Sequence, residues 1–149
     1  MKKILLMHGP NLNFLGKRDT AIYGSCTLQD IENLTINMAK NLNYSVMTFQ
    51  SNHEGQLIDY LQKYSNDIHG IIINPGAFTH YSFALHDALL DTGLPIIEVH
   101  LSDIKKREPW RAVSVTSAAA IKVISGKKEE GYREALQFLV EYIENDHHK

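Results

Sequence analysis

The chain has 149 residues, 44% of them hydrophobic and 21% charged, and carries a formal net charge of −2 at pH 7. One ordinary core fits this length and two do not, and the composition excludes a disordered chain. The slightly acidic balance argues against a nucleic-acid partner, which needs a basic face, but allows a small anionic ligand held by a few arginines in a cleft.

About four apolar residues precede His8. That is too short for a signal-peptide core or for the ~20 residues of a membrane span, so the expected location is the cytoplasm, with no membrane partner. The single cysteine, Cys26, excludes an internal disulfide and a thiol-rich metal site, and it is expected as a partly buried filler.

Five short apolar runs of strand length alternate with helical patterns: Ile4 to Met7, Ser45 to Gln50, Gly70 to Asn74, Pro95 to His100 and Ala119 to Ser125. Near-continuous Ile, Leu and Val in three of them is the mark of strands covered on both faces, hence of a parallel sheet. Between the first two runs lies a long connection, Gly9 to Gly24, where a βα loop of ~2 to 6 residues is usual; it reads as a functional lid.

A capping box at Thr27 and Asp30 opens the first long helix, with Leu28, Ile31, Leu34, Met38 and Leu42 on one face. Leu57, Ile58, Leu61 and Tyr64 mark the next. Ala84, Leu85, Ala88 and Leu89 mark another, stopped at Thr92-Gly93. The stretch from Leu101 to Ser117 is polar, with a short helical turn near Pro109-Trp110-Arg111. The last helix begins near Glu130 with Ala135, Leu136, Leu139, Val140 and Ile143 inward, and residues 145–149 read as a frayed tail. The expectation is a single flavodoxin-like α/β domain over 1–149 with a five-stranded doubly wound parallel sheet.

In such a sheet ligands bind beyond the carboxyl ends of the strands, and those ends are polar here. Tyr23 is a poor base at neutral pH unless a cation such as Arg18 favours its phenolate. Glu98 and His100, two apart on a strand, point to the same face. Their contact would make His100 a general acid, although an ordinary strand-end histidine reads equally well. Asn74 is either a turn residue or a ligand to a carboxylate or hydroxyl. Asn11 is either a turn former or a polar partner of a developing oxyanion. His80 and Asp87, seven apart, would share a helical face, as solvated residues or as ligands. Arg107 and Arg111 would clamp an anion or pair with Glu108. No metal-ligand spacing and no phosphate-loop pattern occurs.

The segments HGPNLNFLGKRDTAIYG, QSNHEGQLIDYLQ, INPGAFTHYSFALHDAL and EVHLSDIKKREPWRAVS, in this order and spacing, resemble type II 3-dehydroquinate dehydratase. The resemblance implies a flavodoxin-like dodecamer built from trimers, with no cofactor and no metal, that eliminates water from 3-dehydroquinate in the shikimate pathway. It implies Tyr23 as base, with Arg18 lowering its pKa, Asn11 holding the enolate through a water, His100 as acid and Glu98 orienting His100. By the same resemblance Asn74, Leu101 and Ser102 hold the substrate carboxylate. His80, Arg111 and Asp87 meet the ring hydroxyls, Asp87 from a neighbouring subunit, and Arg107 helps frame the lid and cleft. Thr20, His86, Ala112, Lys122 and Lys128 depart from the pattern without touching that set. Other classes that share the architecture are a flavin or phosphate-binding module, which should offer a Ser/Thr-rich loop after the first strand, and a non-catalytic binding domain.

Overall fold

Ile4, Leu5, Leu6 and Met7 have no solvent exposure on either face of β1 (Lys2–His8), because the strand lies second from the edge of a sheet with helices on both sides. The computed structural model describes residues 1–146. The other strands are β2 (Tyr44–Gln50), β3 (Gly70–Asn74), β4 (Ile96–His100) and β5 (Lys122–Ser125), in the order β2-β1-β3-β4-β5 with every neighbouring pair parallel. This is the expected flavodoxin-like order.

Side chains alternate between the two faces of each strand, so the core is split in two. Ile4 and Leu6 of β1, with Ile72, Ile97 and Val99, pack with Ile31 and Ala39 of α2 (Leu28–Asn41) and with Ala135, Leu136 and Leu139 of α5 (Glu130–Asp146). Leu5 and Met7, with Ile71, Ile73 and Ile96, pack with Leu57 and Leu61 of α3 (Glu54–Tyr64) and with Leu85 and Leu89 of α4 (Phe83–Asp91). Two helices on each face make the sheet doubly wound.

The capping box at Thr27 and Asp30 is present, with both reciprocal bonds at 3.0–3.1 Å. Several local expectations shift. The fully buried stripe of α2 is Ile31, Thr35 and Ala39, with the predicted leucines and Met38 half-buried on either side. Ala84 faces solvent on α4. The fifth strand starts at Lys122 rather than Ala119, because residues Ser117–Ala119 close a 3-10 turn, and only Ile121 onward bonds to β4. Helix α5 continues through Asp146, so Asn145 belongs to it; of the expected frayed tail, residues 147–149 lie outside the described residues.

Because all strands run the same way, His8, Gln50, Asn74, His100 and Ser125 end at one edge: the first three are in register, His100 is in register with Ser125, and the β3–β4 register carries His100 one residue beyond the level of Asn74. The exits of β1 and β3 are locked together there: Gly9 donates its N–H to Asn74 O at 2.7 Å, and a Cβ on Gly9 would lie 2.2 Å from the Pro75 carbonyl oxygen. Gly9→Ala must therefore push two backbones apart, and overpacking of this kind costs ~1–3 kcal/mol. Thermal denaturation should show a drop of ~2–4 °C per kcal/mol for a chain of this size. An unchanged midpoint would show that the two exits are not held against each other.

Candidate active site

The connection after β1 is folded, not loose. Asn11 adopts a left-handed φ of 68°, and its N–H donates to Asn52 Oδ1 at 2.9 Å. A 3-10 turn, Leu12–Phe14, follows and buries Leu12 and Leu15 in the core. Asp19 then caps the single turn α1 (Thr20–Tyr23) by accepting the N–H of Ala21, and Gly24, at φ 82°, ends it. That turn carries Tyr23 over the carboxyl edge of the sheet, half-buried against the core.

Arg18 Nη2 donates to the Tyr23 hydroxyl oxygen at 2.8 Å, with the guanidinium carbon 3.7 Å from the ring centroid. Arg107 stands over the same ring at 5.1 Å. Burial, joined by Arg107 and Arg111, pushes Arg18 below the usual guanidinium value, while its contact with Tyr23 works the other way. Arg18 and Arg107 thus face one phenol and Arg111 borders the same cleft, so the field there favours a bound anion such as a carboxylate.

Opposite Tyr23, His100 ends β4 with 5% exposure and places Nε2 2.7 Å from Glu98 Oε2. Glu98, 1% exposed, also accepts from Thr79 Oγ1 at 2.8 Å and from Thr116 Oγ1 at 2.5 Å. Burial alone would raise its carboxyl, but the bond and charge of His100, with the Thr116 and Thr79 hydroxyls, hold it below the ordinary carboxylate range. With Nε2 committed to Glu98, Nδ1 is the ring nitrogen left to exchange a proton with a ligand.

All the side chains nominated from sequence except Glu98 and Asp87 line one cleft: Asn11, Arg18, Tyr23, Asn74, His80, His100, Leu101, Ser102, Arg107 and Arg111. Asn74 Oδ1 accepts the N–H of Gly76 at 3.0 Å, and one amide proton goes to Tyr132 Oη at 3.4 Å, leaving the other donor to a ligand. Arg107 Nη1 donates to Ser102 Oγ at 3.3 Å. Arg111 borders the cleft and pairs with Glu108, the ion-pair alternative of its two expected roles. A base candidate, an acid candidate and several cations within one cleft at strand ends make an arrangement suited to moving a proton on an anionic ligand.

The sequence profile described as dehydroquinase class II matches residues 2–140. The chain belongs to the class II dehydroquinase family. As a dehydroquinase it is an enzyme of the hydro-lyase type. A 3-dehydroquinate dehydratase of Carboxydothermus hydrogenoformans is 48% identical over 141 residues, which is 95% of this chain and 92% of that protein. A catabolic 3-dehydroquinase of Talaromyces marneffei is 50% identical and covers 92% of this chain and 78% of its own length. The crystal structure of type II dehydroquinase from Butyrivibrio crossotus superimposes with a TM-score of 0.90 at 44% identity, covering 93% of this chain and 97% of that one.

Within the dehydroquinase chain, two expectations about the site change. His80 and Asp87 do not share a helix: His80 ends the 3-10 turn Gly76–His80, and Ser82 then caps α4, on which Asp87 lies. Asp87 is away from the cleft, its side chain 74% exposed and bonded to His86. His80 instead fixes its ring by Nδ1 at 2.6 Å from Val113 O and by an edge contact with Trp110. Arg107 follows the turn Ile104–Lys106 as its C-cap and Arg111 lies in the next turn, Pro109–Ala112, and both border the cleft. No site role was assigned from sequence to Asn52 and Tyr132, which bond to the lining residues Asn11 and Asn74, or to Ser114 and Thr116, which bond to Glu98 behind His100. Of these only Asn52 had a visible signal, its place just after a strand end.

Proposed function

We propose that this chain removes water from 3-dehydroquinate to give 3-dehydroshikimate in the shikimate pathway, with Tyr23 as base and His100 as acid. The observation that carries the assignment of roles is the pairing of two oriented groups in one cleft: Tyr23 bonded to Arg18 at 2.8 Å, and His100 bonded to Glu98 at 2.7 Å. Tyr23 phenolate takes the proton beside the ketone, and the C–H electron pair becomes the enolate. Asn11 supports the enolate oxygen through a water. The enolate re-forms the ketone C=O, its C=C electron pair moves to make a new C=C bond to the β-carbon, and the β-hydroxyl is expelled, leaving as water with the Nδ1 proton of His100. One base, one acid and an oxyanion partner complete the balance, with the lid sheltering the cleft.

Asn74, Leu101 and Ser102 hold the substrate carboxylate, supported by the cations of the cleft; His80 and Arg111 meet the ring hydroxyls, and Arg107 frames the lid over Tyr23. Asp87 serves the cleft of a neighbouring subunit in a dodecamer built from trimers. That reading is supported by exposed apolar side chains close to it in the chain, Tyr81, Phe83 and Leu90 at 57–67% exposure, and by Trp110 and Val113, exposed at 52% and 56%. Sedimentation velocity of the purified chain should give a large, single species; a monomer would remove Asp87 from the site. The location proposed is the cytoplasm; no helix among the described residues is long and apolar enough to cross a membrane.

The functional assignment is tested by adding 3-dehydroquinate and following absorbance of the conjugated product. No absorbance change with folded protein would overturn it. The role of Arg18 is tested by Arg18→Ala, which removes the cation bonded to the phenol. An opposite charge within ~4–6 Å moves a titration by ~1–3 units, so the acid limb of the kcat–pH profile should move upward. Arg107, still over the ring, keeps part of the effect. Turnover at neutral pH should fall by ~10-fold or more and recover about tenfold per pH unit until the new limb is passed. A loss of turnover with no movement of the limb would make Arg18 a lid or substrate holder only.

A further inference from the structure

The Glu98 carboxylate is bonded well beyond what orienting one histidine requires. Besides His100 and the threonines, Ser114 Oγ lies 3.3 Å from Glu98 Oε2, and Thr79 Oγ1 lies 2.6 Å from Ser114 Oγ and 2.8 Å from Thr116 Oγ1. Each hydroxyl has one proton to give. Thr79 and Thr116 spend theirs on the carboxylate, and the Ser114 proton is left for Thr79 Oγ1. In this arrangement His100, Thr79 and Thr116 all donate to Glu98, and Ser114 donates to Thr79. Moving the Nε2 proton onto Glu98 would turn the imidazole from donor to acceptor and leave Thr79 and Thr116 donating to a neutral carboxyl, which they bond less strongly than a carboxylate.

The other charged or titratable neighbours are few. From its own strand Glu98 meets His100, and from the Ile104–Lys106 turn Lys105 borders the same small cavity as Glu98, with Ser114, Ser117 and Ser125. Neighbouring strands present Ile73 and Val123 at the paired positions. The turn Gly76–His80 and the loop before Ser117 present only Thr79, Ser114 and Thr116.

We propose that Thr79, Ser114 and Thr116 are positioning residues for the reaction: Thr79 and Thr116, with Ser114 donating to Thr79, occupy Glu98 so that the proton it shares with Nε2 stays on His100 and keeps the ring an imidazolium whose Nδ1 proton is ready for the departing hydroxyl. The inference rests on the reading of His100 as the acid. It also explains why three polar side chains from two separate segments are gathered around a group that never meets the ligand.

Thr116→Val, nearly the same size, tests it. With one donor gone, more of the shared proton sits on Glu98, so the plateau of kcat falls about tenfold, a part of the ~10²–10⁴ ascribed to a positioned acid. The fully deprotonated pair, a buried Glu98 anion beside neutral imidazole, also becomes harder to form. The alkaline limb of the profile therefore moves to higher pH although the enzyme is slower. Thr116→Ser restores both, and the ¹⁵N shifts of His100 at neutral pH move toward the neutral ring in Thr116→Val alone. If Thr116→Val does not fold, Ser114→Ala, which removes the donor to Thr79, must show the same two movements in smaller measure.

A limb that stays or moves down, or a loss that Thr116→Ser does not rescue, overturns the inference. These outcomes are separable from failure of the functional reading. A wild type that does not dehydrate 3-dehydroquinate, or a His100→Ala that keeps full turnover, fails that reading. A wild type with an alkaline limb that Thr116→Val leaves in place fails this inference alone.

Discussion

Tyr23→Phe is expected to fold, bind 3-dehydroquinate and turn it over at a rate reduced by at least the ~10²–10⁴ that a positioned base contributes. The phenylalanine ring keeps the packing against the core and the face offered to Arg18 and Arg107. What is removed is one oxygen, the acceptor of the Arg18 bond. The loss should therefore fall on kcat, with substrate affinity measured by calorimetry within a few-fold of wild type. Activity near wild type would move the base elsewhere in the cleft.

His100→Ala is expected to lower kcat by ~10²-fold or more, again the scale of a positioned acid. It carries a second effect that Tyr23→Phe does not. Glu98 is left buried without its imidazole partner, and removing one member of a buried pair costs ~3–5 kcal/mol. The sign with pH follows from the remaining charge. Glu98 in the mutant is stabilised by its hydroxyl donors alone, so protonating it on the acid side relieves an unpaired buried anion. The deficit in thermal stability relative to wild type should accordingly shrink as pH falls. An effect confined to KM, with kcat preserved, would make His100 a binding group only.

The central strands were legible because burial on both faces leaves an uninterrupted apolar signal, as in Gly70–Asn74, where every residue is buried. The pairing of Glu98 with His100 was legible from the two-residue period of a strand, and that of Arg18 with Tyr23 from their closeness within the lid. Edge strand β5 was overread, since half its surface is solvent and its apolar run continues back into a turn. Thr116 and Ser114 were not legible as partners of Glu98, because a polar segment without periodicity folds back over residues 16 to 18 positions earlier. The helical face expected to be shared by His80 and Asp87 failed for a different reason: the rule of helical spacing was applied across the helix start at Ser82. Among the departures, Lys128 takes a left-handed φ of 51° and donates to Leu101 O, a conformation that glycine adopts freely and that costs another residue ~1–2 kcal/mol.

The division of labour between Tyr23 and His100 is tested most directly by proton exchange without elimination. 3-Dehydroquinate is incubated in deuterated water with His100→Ala or with Tyr23→Phe, and the recovered substrate is weighed by mass spectrometry against an enzyme-free control. If Tyr23 forms the enolate and His100 only releases the hydroxyl, His100→Ala returns substrate carrying deuterium beside the ketone, and Tyr23→Phe returns it as the control does. Deuterium incorporated by Tyr23→Phe but not by His100→Ala would contradict the account, since the proton beside the ketone would then be taken by His100.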